Sequence, residues 1–168
     1  MSNRKKWFIL SLLLLLPLLA GGLFWGYFYY QSEAFQRAYR NGNTYDQLNS
    51  LMNTTRYAKA VRKAGYPVDD YGLKMNDRID TLETKTEPVV RISVPTKGGI
   101  IVRVYISENN FLSFDFDSDM KLTYVFQSKG NRNLHNNEIP KEDRDKYETF
   151  VRKAMAKTVK DIRDSMSF

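Results

Sequence analysis

The most constraining feature of this sequence is an apolar stretch without a single charge that covers residues 7–30. A helix rises about 1.5 Å per residue, and about 20 residues cross a hydrocarbon layer about 30 Å thick. The 24 residues of the stretch are therefore enough to cross a membrane as one helix. Trp7 lies at its start and an aromatic cluster, residues 25–30, lies at its end, which is typical of the two membrane interfaces. The sequence predicts a single transmembrane helix over residues 7–30.

A cleaved signal peptide is the alternative interpretation of these residues, because the small residues 20–22 follow a leucine-rich centre. However, the apolar run continues for eight residues beyond them. Leu18 also stands where a signal peptide usually has a small residue. Both features favour an uncleaved anchor.

The basic residues directly before the stretch predict its orientation. Arg4, Lys5 and Lys6 lie in a short tip, residues 1–6, and such cationic flanks stay on the cytoplasmic side. Residues 31–168 would then form an extracytoplasmic domain of a single-pass cell-membrane protein. The chain has no cysteine, so this domain has neither a disulfide nor a thiolate metal site. Exported domains of this composition are associated with Gram-positive bacteria.

Length and charge limit what this domain can be. Its 138 residues are enough for one hydrophobic core and too few for two. They hold 23 Lys and Arg against 19 Asp and Glu, with both signs mixed along the chain. A nucleic-acid-binding domain would show clustered basic residues. We therefore expect a solvated, mixed-charge surface and no nucleic-acid partner.

Helical periodicity occurs on both sides of the domain's central region. The membrane helix should continue into water until residues 41–43 break it. A second helix is predicted over residues 45–64, with Thr44 as its N-cap, and a final helix should start at Pro140. The final helix carries an apolar stripe that should be buried: Tyr147, Phe150, Val151, Ala154, Met155, Val159 and Ile162.

Between these helices, alternation of apolar and polar residues over positions 89–127 predicts an antiparallel β-meander of four or more strands. Residues 79–86 should form an irregular hairpin or a polar edge strand, and residues 127–138 a loop or ragged edge. The expected fold class is α+β, with helices packed on one face of the meander. The residues assigned to that inner face are Val90, Ile92, Val94, Val102, Val104, Ile106, Leu112, Phe114, Phe116, Leu122, Tyr124 and Phe126.

The opposite face of the meander is the candidate binding surface. It should carry residues for which a core has no use: Arg91, Arg103, Tyr105, Asp115 and Asp117. Tyr and Arg are enriched at binding hot spots, and mixed charges give specificity towards a protein partner. The alternative is that this face is only solvated surface.

Motifs for catalysis, metal binding or cofactor binding are almost absent. The run from Asp115 to Asp119 resembles the start of a calcium loop, but Met120 and Phe126 stand where that loop has Gly and Glu. His135 is the only histidine and has no second imidazole or thiolate with which to share a metal. We therefore expect a binding protein that is not an enzyme and has neither metal nor cofactor.

The order of these features resembles the TipC family of immunity proteins. The shared features are a basic start, one membrane span, a helical segment, a passage like residues 73–80, an antiparallel meander and a closing helix with an acidic start such as residues 138–150. The resemblance implies a membrane-anchored protein that neutralises a secreted antibacterial LXG toxin at the cell surface. Two other classes stay open: an accessory subunit of an envelope, conjugation or secretion complex, and an envelope-modifying enzyme.

Overall fold

The computed structural model describes residues 3–52, 57–67, 81–95 and 98–166, and the side chains of residues 3–14, 52, 57 and 58 lie outside that description. Residues 73–80, which contributed to the family resemblance, also lie outside it. The described helices are α1 (Asn3–Asn41), α2 (Thr44–Met52), α3 (Tyr57–Lys63) and α4 (Lys141–Ser165).

Six strands form one antiparallel sheet in which every strand pairs with its neighbours in sequence. They are β1 (Thr81–Glu83), β2 (Val89–Ser93), β3 (Ile100–Ser107), β4 (Asn110–Phe116), β5 (Leu122–Lys129) and β6 (Arg132–His135). The predicted α+β class and the predicted meander are therefore confirmed. The short edge strands β1 and β6 lie in the two segments where the sequence predicted ragged or irregular edges.

Helix α1 is continuous over 39 residues and contains Pro17. Near its C-terminal end, Phe35 is only 1% exposed and belongs to the hydrophobic core. Most of the large apolar side chains described from Leu15 to Tyr30 are exposed, among them Leu18 and Trp25. Among the residues that the structure describes, no helix is long and apolar enough to cross a membrane.

The junction between α1 and α2 is fixed by a reciprocal pair of hydrogen bonds. The backbone N–H of Asp46 donates to Oδ1 of Asn43 at 3.0 Å, and the backbone N–H of Asn43 donates to Oδ2 of Asp46 at 3.1 Å. Side chains that accept these otherwise unpaired N–H groups stabilise a helix start. Asn43 is therefore the capping residue, and the prediction that Thr44 has this role was wrong. The predicted helix over residues 45–64 is represented by α2 and α3, with residues 53–56 outside the described part.

The core lies between α4 and the inner face of the sheet. Helix α4 contacts β2 and β3, and α2 and α3 pack against α4. Val151, Ala154, Met155, Val159 and Ile162 of the predicted stripe are buried, and Tyr147 and Phe150 are half-buried beside them. This agreement follows from the 3.6-residue period, which places these side chains on one side of the helix.

Strand β5 departs from the predicted alternation because of a bulge. Phe116 pairs with Leu122 while Asp115 pairs with Tyr124, so Thr123 is an extra residue in β5. One extra residue moves every later side chain to the opposite face. Val125 is consequently buried at 2% exposure. The assignment of Tyr124 and Phe126 to the inner face was wrong: Tyr124 pairs with Asp115, and Phe126 pairs with Ser113, on the other face.

Candidate protein-binding face

The sheet face turned away from α4, which we call the outer face, holds the candidate site. Strand register brings its residues into rows that cross the sheet. The central row contains Glu83, Arg91, Arg103, Ser113, Phe126 and His135. A second row contains Val89, Tyr105, Phe111, Ser128 and Asn133. All of these side chains except Ser113 remain at least partly exposed.

Aromatic rings form a continuous chain across this face. The ring centroids of Tyr105 and Phe111 are 5.8 Å apart, those of Phe111 and Phe126 are 5.9 Å apart, and those of Phe126 and His135 are 5.3 Å apart. Tyr124 extends the chain, because its hydroxyl forms a hydrogen bond with Nδ1 of His135. Such spacings are those of interacting aromatic pairs, which restrict one another's motion. The outer face therefore offers a broad aromatic surface held by its own contacts.

Both predicted arginines, Arg91 and Arg103, lie over rings of this aromatic chain. The guanidinium carbon of Arg91 is 5.5 Å from the Tyr105 ring centroid, and that of Arg103 is 5.8 Å from the Phe111 ring centroid. Arg91 also forms an ion pair with Glu83 on the adjacent strand, with Nε of Arg91 donating to Oε1 at 2.9 Å. Arg103 lies at the centre of the face and is exposed. A ring attracts a guanidinium placed over its face while the N–H groups of the guanidinium remain open to hydrogen-bond acceptors.

Asp115 lies in the next row of the same face. The Ser113 hydroxyl is 3.5 Å from Oδ1 of Asp115. Burial raises the pKa of Asp115 above its ordinary value, and the hydrogen bond from Ser113 and the charge of Arg103 offset only part of this effect. The carboxyl group of Asp115 is thus less readily ionised than that of an ordinary aspartate.

Asp117 does not belong to the outer face, because β4 ends at Phe116. Its Oδ1 accepts hydrogen bonds from the backbone N–H of Asp119 at 3.0 Å and of Lys121 at 2.8 Å. The carboxylate therefore shapes the turn between β4 and β5. Of the five predicted site residues, the structure brings together Arg91, Arg103, Tyr105 and Asp115 and separates Asp117 from them.

Sequence reasoning missed Glu83, Phe111, Tyr124, Phe126 and His135 as members of this face. Phe111 could have been found, since it has the same parity in β4 as Ser113 and Asp115. Tyr124 and Phe126 could not be found by parity, because the bulge at Thr123 reverses it. Glu83 and His135 lie in strands of three and four residues, too short for alternation to be informative.

A cavity of about 220 Å³ lies on the other side of the domain, between the end of α3, the loop after β1 and α4. Its charged side chains are already engaged. Nζ of Lys157 and the hydroxyl of Tyr66 both donate to Oδ2 of Asp161 at 2.5 Å, and Nζ of Lys85 donates to the carbonyl oxygen of Ala64 at 3.2 Å. The Tyr66 bond joins the segment after α3 to α4, and the Lys85 bond joins the loop after β1 to that segment, so we regard this cavity as a structural junction.

Within the described ranges, no group of three or more His, Cys, Asp or Glu side chains could hold a metal ion. Comparisons with protein-family models, curated proteins and solved structures find no match to this chain. The case for a function therefore rests on the geometry of the domain and on the properties of the sequence.

Proposed function

We propose that this protein is a membrane-anchored protein-binding module that captures a protein partner with its outer face, outside the cytoplasm. One observation carries the proposal. The inner face of the sheet is filled by the core, whereas the outer face presents two arginines that lie over aromatic rings, and the aromatic chain formed by Tyr105, Phe111, Phe126 and His135.

This composition fits recognition of a protein surface. Buried Tyr and Arg anchors contribute most of the binding energy at many interfaces, and a polar rim around them supplies specificity. Rings that already touch one another lose little freedom on binding, which lowers the entropic cost of association. Glu83 and Asp115 add negative charge to a surface that also carries Arg91 and Arg103, so a partner must match both signs in position.

The sequence supports the membrane anchor. Residues 7–30 contain no charge, and Arg4, Lys5 and Lys6 precede them. The backbone of α1 is helical throughout this stretch. The large apolar side chains described from Leu15 to Tyr30 are exposed except Phe28, which is half-buried, so the domain leaves nearly all of them uncovered. Residues 7–14, the leucine-rich first third of the stretch, add to its apolar length. A lipid environment would cover a surface that water does not favour.

The architectural resemblance to TipC-type immunity proteins supports a secreted antibacterial toxin as the partner. In that role the domain would neutralise the toxin by binding alone, without catalysis. An accessory subunit of an envelope complex would use the same face to contact another subunit of that complex in the same cell. The two roles differ in whether the bound protein comes from another cell.

Site-specific photo-crosslinking in intact cells tests the proposal. A photoreactive residue is placed at Val89 or at Asn133, which lie near opposite ends of one row of the outer face. The matched control carries it at Lys153, an exposed position of α4. We expect a discrete crosslinked protein from the two outer-face positions and none from the control. Equal crosslinking from all three positions, or none from Val89 and Asn133, would contradict the proposal.

Added protease tests the orientation in the same cells. Because the basic tip should remain inside, protease acting on cells without an outer barrier should remove residues 31–168. Protection of these residues in intact cells, with digestion only after lysis, would show that the domain faces the cytoplasm.

A further inference from the structure

We propose that the partner presents a carboxylate, from an Asp or Glu beside an apolar side chain, to Arg103 at the centre of the outer face. This inference rests on the proposed function and names the chemistry that the same face would recognise. It is carried by the difference between the two arginines that face each other across β2 and β3.

The two arginines occupy directly paired positions. Arg91 and Arg103 are opposite one another in the ladder between β2 and β3. Like charges opposite each other destabilise a sheet unless other groups neutralise them. Glu83 neutralises Arg91 through an ion pair on the far side, away from Arg103. Among the described residues, a countercharge is therefore in direct contact with Arg91 and not with Arg103.

Arg103 forms no ion pair with any side chain in the described part of the chain. Its guanidinium lies over the Phe111 ring there and is attracted electrostatically by Asp115. Asp115 is half-buried, and among the described residues no ion pair joins its carboxylate to Arg103. The hydrogen-bonding edges of Arg103 thus remain available to an incoming acceptor.

The surroundings of Arg103 define the rest of the ligand. The guanidinium of Arg103 lies over the Phe111 ring, and Phe126 lies beside Phe111 at a ring-centroid distance of 5.9 Å. A planar guanidinium binds a carboxylate through two parallel N–H···O bonds, and the aromatic floor excludes water from that contact. An apolar side chain next to the carboxylate would cover Phe126. The occupant is therefore an acidic residue with an apolar neighbour on a protein surface.

The charge of the outer face favours a carboxylate over a phosphate group. Glu83 and Asp115 lie on the same face and would repel an anion carrying close to two negative charges. A single carboxylate balances the charge of Arg103, which lacks an ion pair in the described part of the chain. Electrostatic attraction of this kind also raises the association rate and weakens with added salt.

A display library of random short peptides, selected against the full-length protein in detergent micelles, provides the test. Parallel selections use the parent, Arg103→Glu, and the control Lys153→Glu, which makes the same charge change on the exposed side of α4. We expect Asp or Glu beside an apolar residue to be enriched against the parent and the control but not against Arg103→Glu. In a selected peptide, exchanging the acid for its amide should weaken binding to the parent about thirty-fold and leave binding to Arg103→Gln unchanged.

The outcomes separate this inference from the proposed function. Peptides that require Phe126 but show no preference for acidic residues would overturn the inference and leave the binding face in place. Selections in which neither Arg103→Glu nor Phe126→Ala changes any bound peptide would overturn both. Circular dichroism of each variant shows whether the domain remains folded, and Arg103→Lys, which keeps the charge but loses the planar fork, should retain only part of the affinity.

Discussion

The hydroxyl of Tyr66 donates a 2.5 Å hydrogen bond to Oδ2 of Asp161 and so joins the segment after α3 to α4. Burial and this bond raise the pKa of Tyr66 to about 12. Burial also raises the pKa of Asp161, but the hydrogen bonds from Lys157 and Tyr66 outweigh it, and the net shift is downward. The neutral phenol and the ionised carboxylate therefore stabilise each other in the folded domain.

The first prediction concerns stability at high pH. An ordinary tyrosine has a pKa of 10.0, whereas Tyr66 in the folded domain has a pKa of about 12. The folded state thus holds its proton more tightly, so this contribution is present below pH 10 and is lost as the pH rises from 10 to 12. We expect the loss to be about 1–3 kcal/mol in the free energy of unfolding. Urea unfolding across this pH range measures it.

Tyr66→Phe should be less stable than the parent at neutral pH by about 1 kcal/mol and should lack this alkaline loss. Tyr147→Phe is the control, since the Tyr147 hydroxyl forms no hydrogen bond to an acid among the described residues. If Tyr66→Phe lost stability between pH 10 and 12 as steeply as the parent, the bond to Asp161 would not be the cause.

The second prediction compares two phenylalanines of α1. Phe35 is 1% exposed, whereas Phe24 is 64% exposed. Phe35→Ala should lower the free energy of unfolding of the domain by about 3–5 kcal/mol, because it removes a fully buried ring and leaves a cavity. Phe24→Ala should leave it unchanged within about 0.5 kcal/mol. Urea unfolding of the full chain in detergent distinguishes them, and equal effects would show that α1 is not part of the core.

The third prediction compares two phenylalanines on opposite faces of the sheet. Phe114 is fully buried on the inner face, and Phe126 is half-buried on the outer face. Phe114→Ala should cost about 3–5 kcal/mol of stability. Phe126→Ala should cost clearly less but should reduce crosslinking from Val89 and Asn133 in cells. If Phe126→Ala lost as much stability as Phe114→Ala, the outer face would be covered by another part of the protein and would not be free to bind a partner.

Much of the fold could be predicted from the sequence. Alternation in β2, β3 and β4 placed Val90, Val102 and Phe114 in the core, because each strand is long enough to show its period and keeps it around these residues. The stripe of α4 was predicted for the same reason. A bulge adds a residue without any distinctive composition, so Thr123 gave no signal that the faces of β5 would exchange.

The candidate site could be predicted only in part. Parity alone placed Arg91, Arg103, Tyr105 and Asp115 on one face. Glu83 pairs with Arg91 and leaves Arg103 without an ion pair in the described part of the chain. This pairing depends on β1, a strand of three residues. Such a short strand is defined by its pairing with β2 and not by a sequence pattern of its own. Asp117 was misplaced because a strand end one residue earlier converts an outward side chain into part of a turn.

Because α1 is continuous, the number of residues in it determines the direction in which the outer face points. The helix runs from Asn3 to Asn41 and ends with Phe35 fixed inside the core, so the domain cannot turn independently of the residues before it. One residue inserted near Gln31 would swing the sheet by about 100° around the helix axis and lift it by about 1.5 Å. Four inserted residues would return the sheet nearly to its original direction and displace it by about 6 Å along the helix axis. The rotation of residues 1–30 about the helix axis would thus determine the direction in which the outer face points.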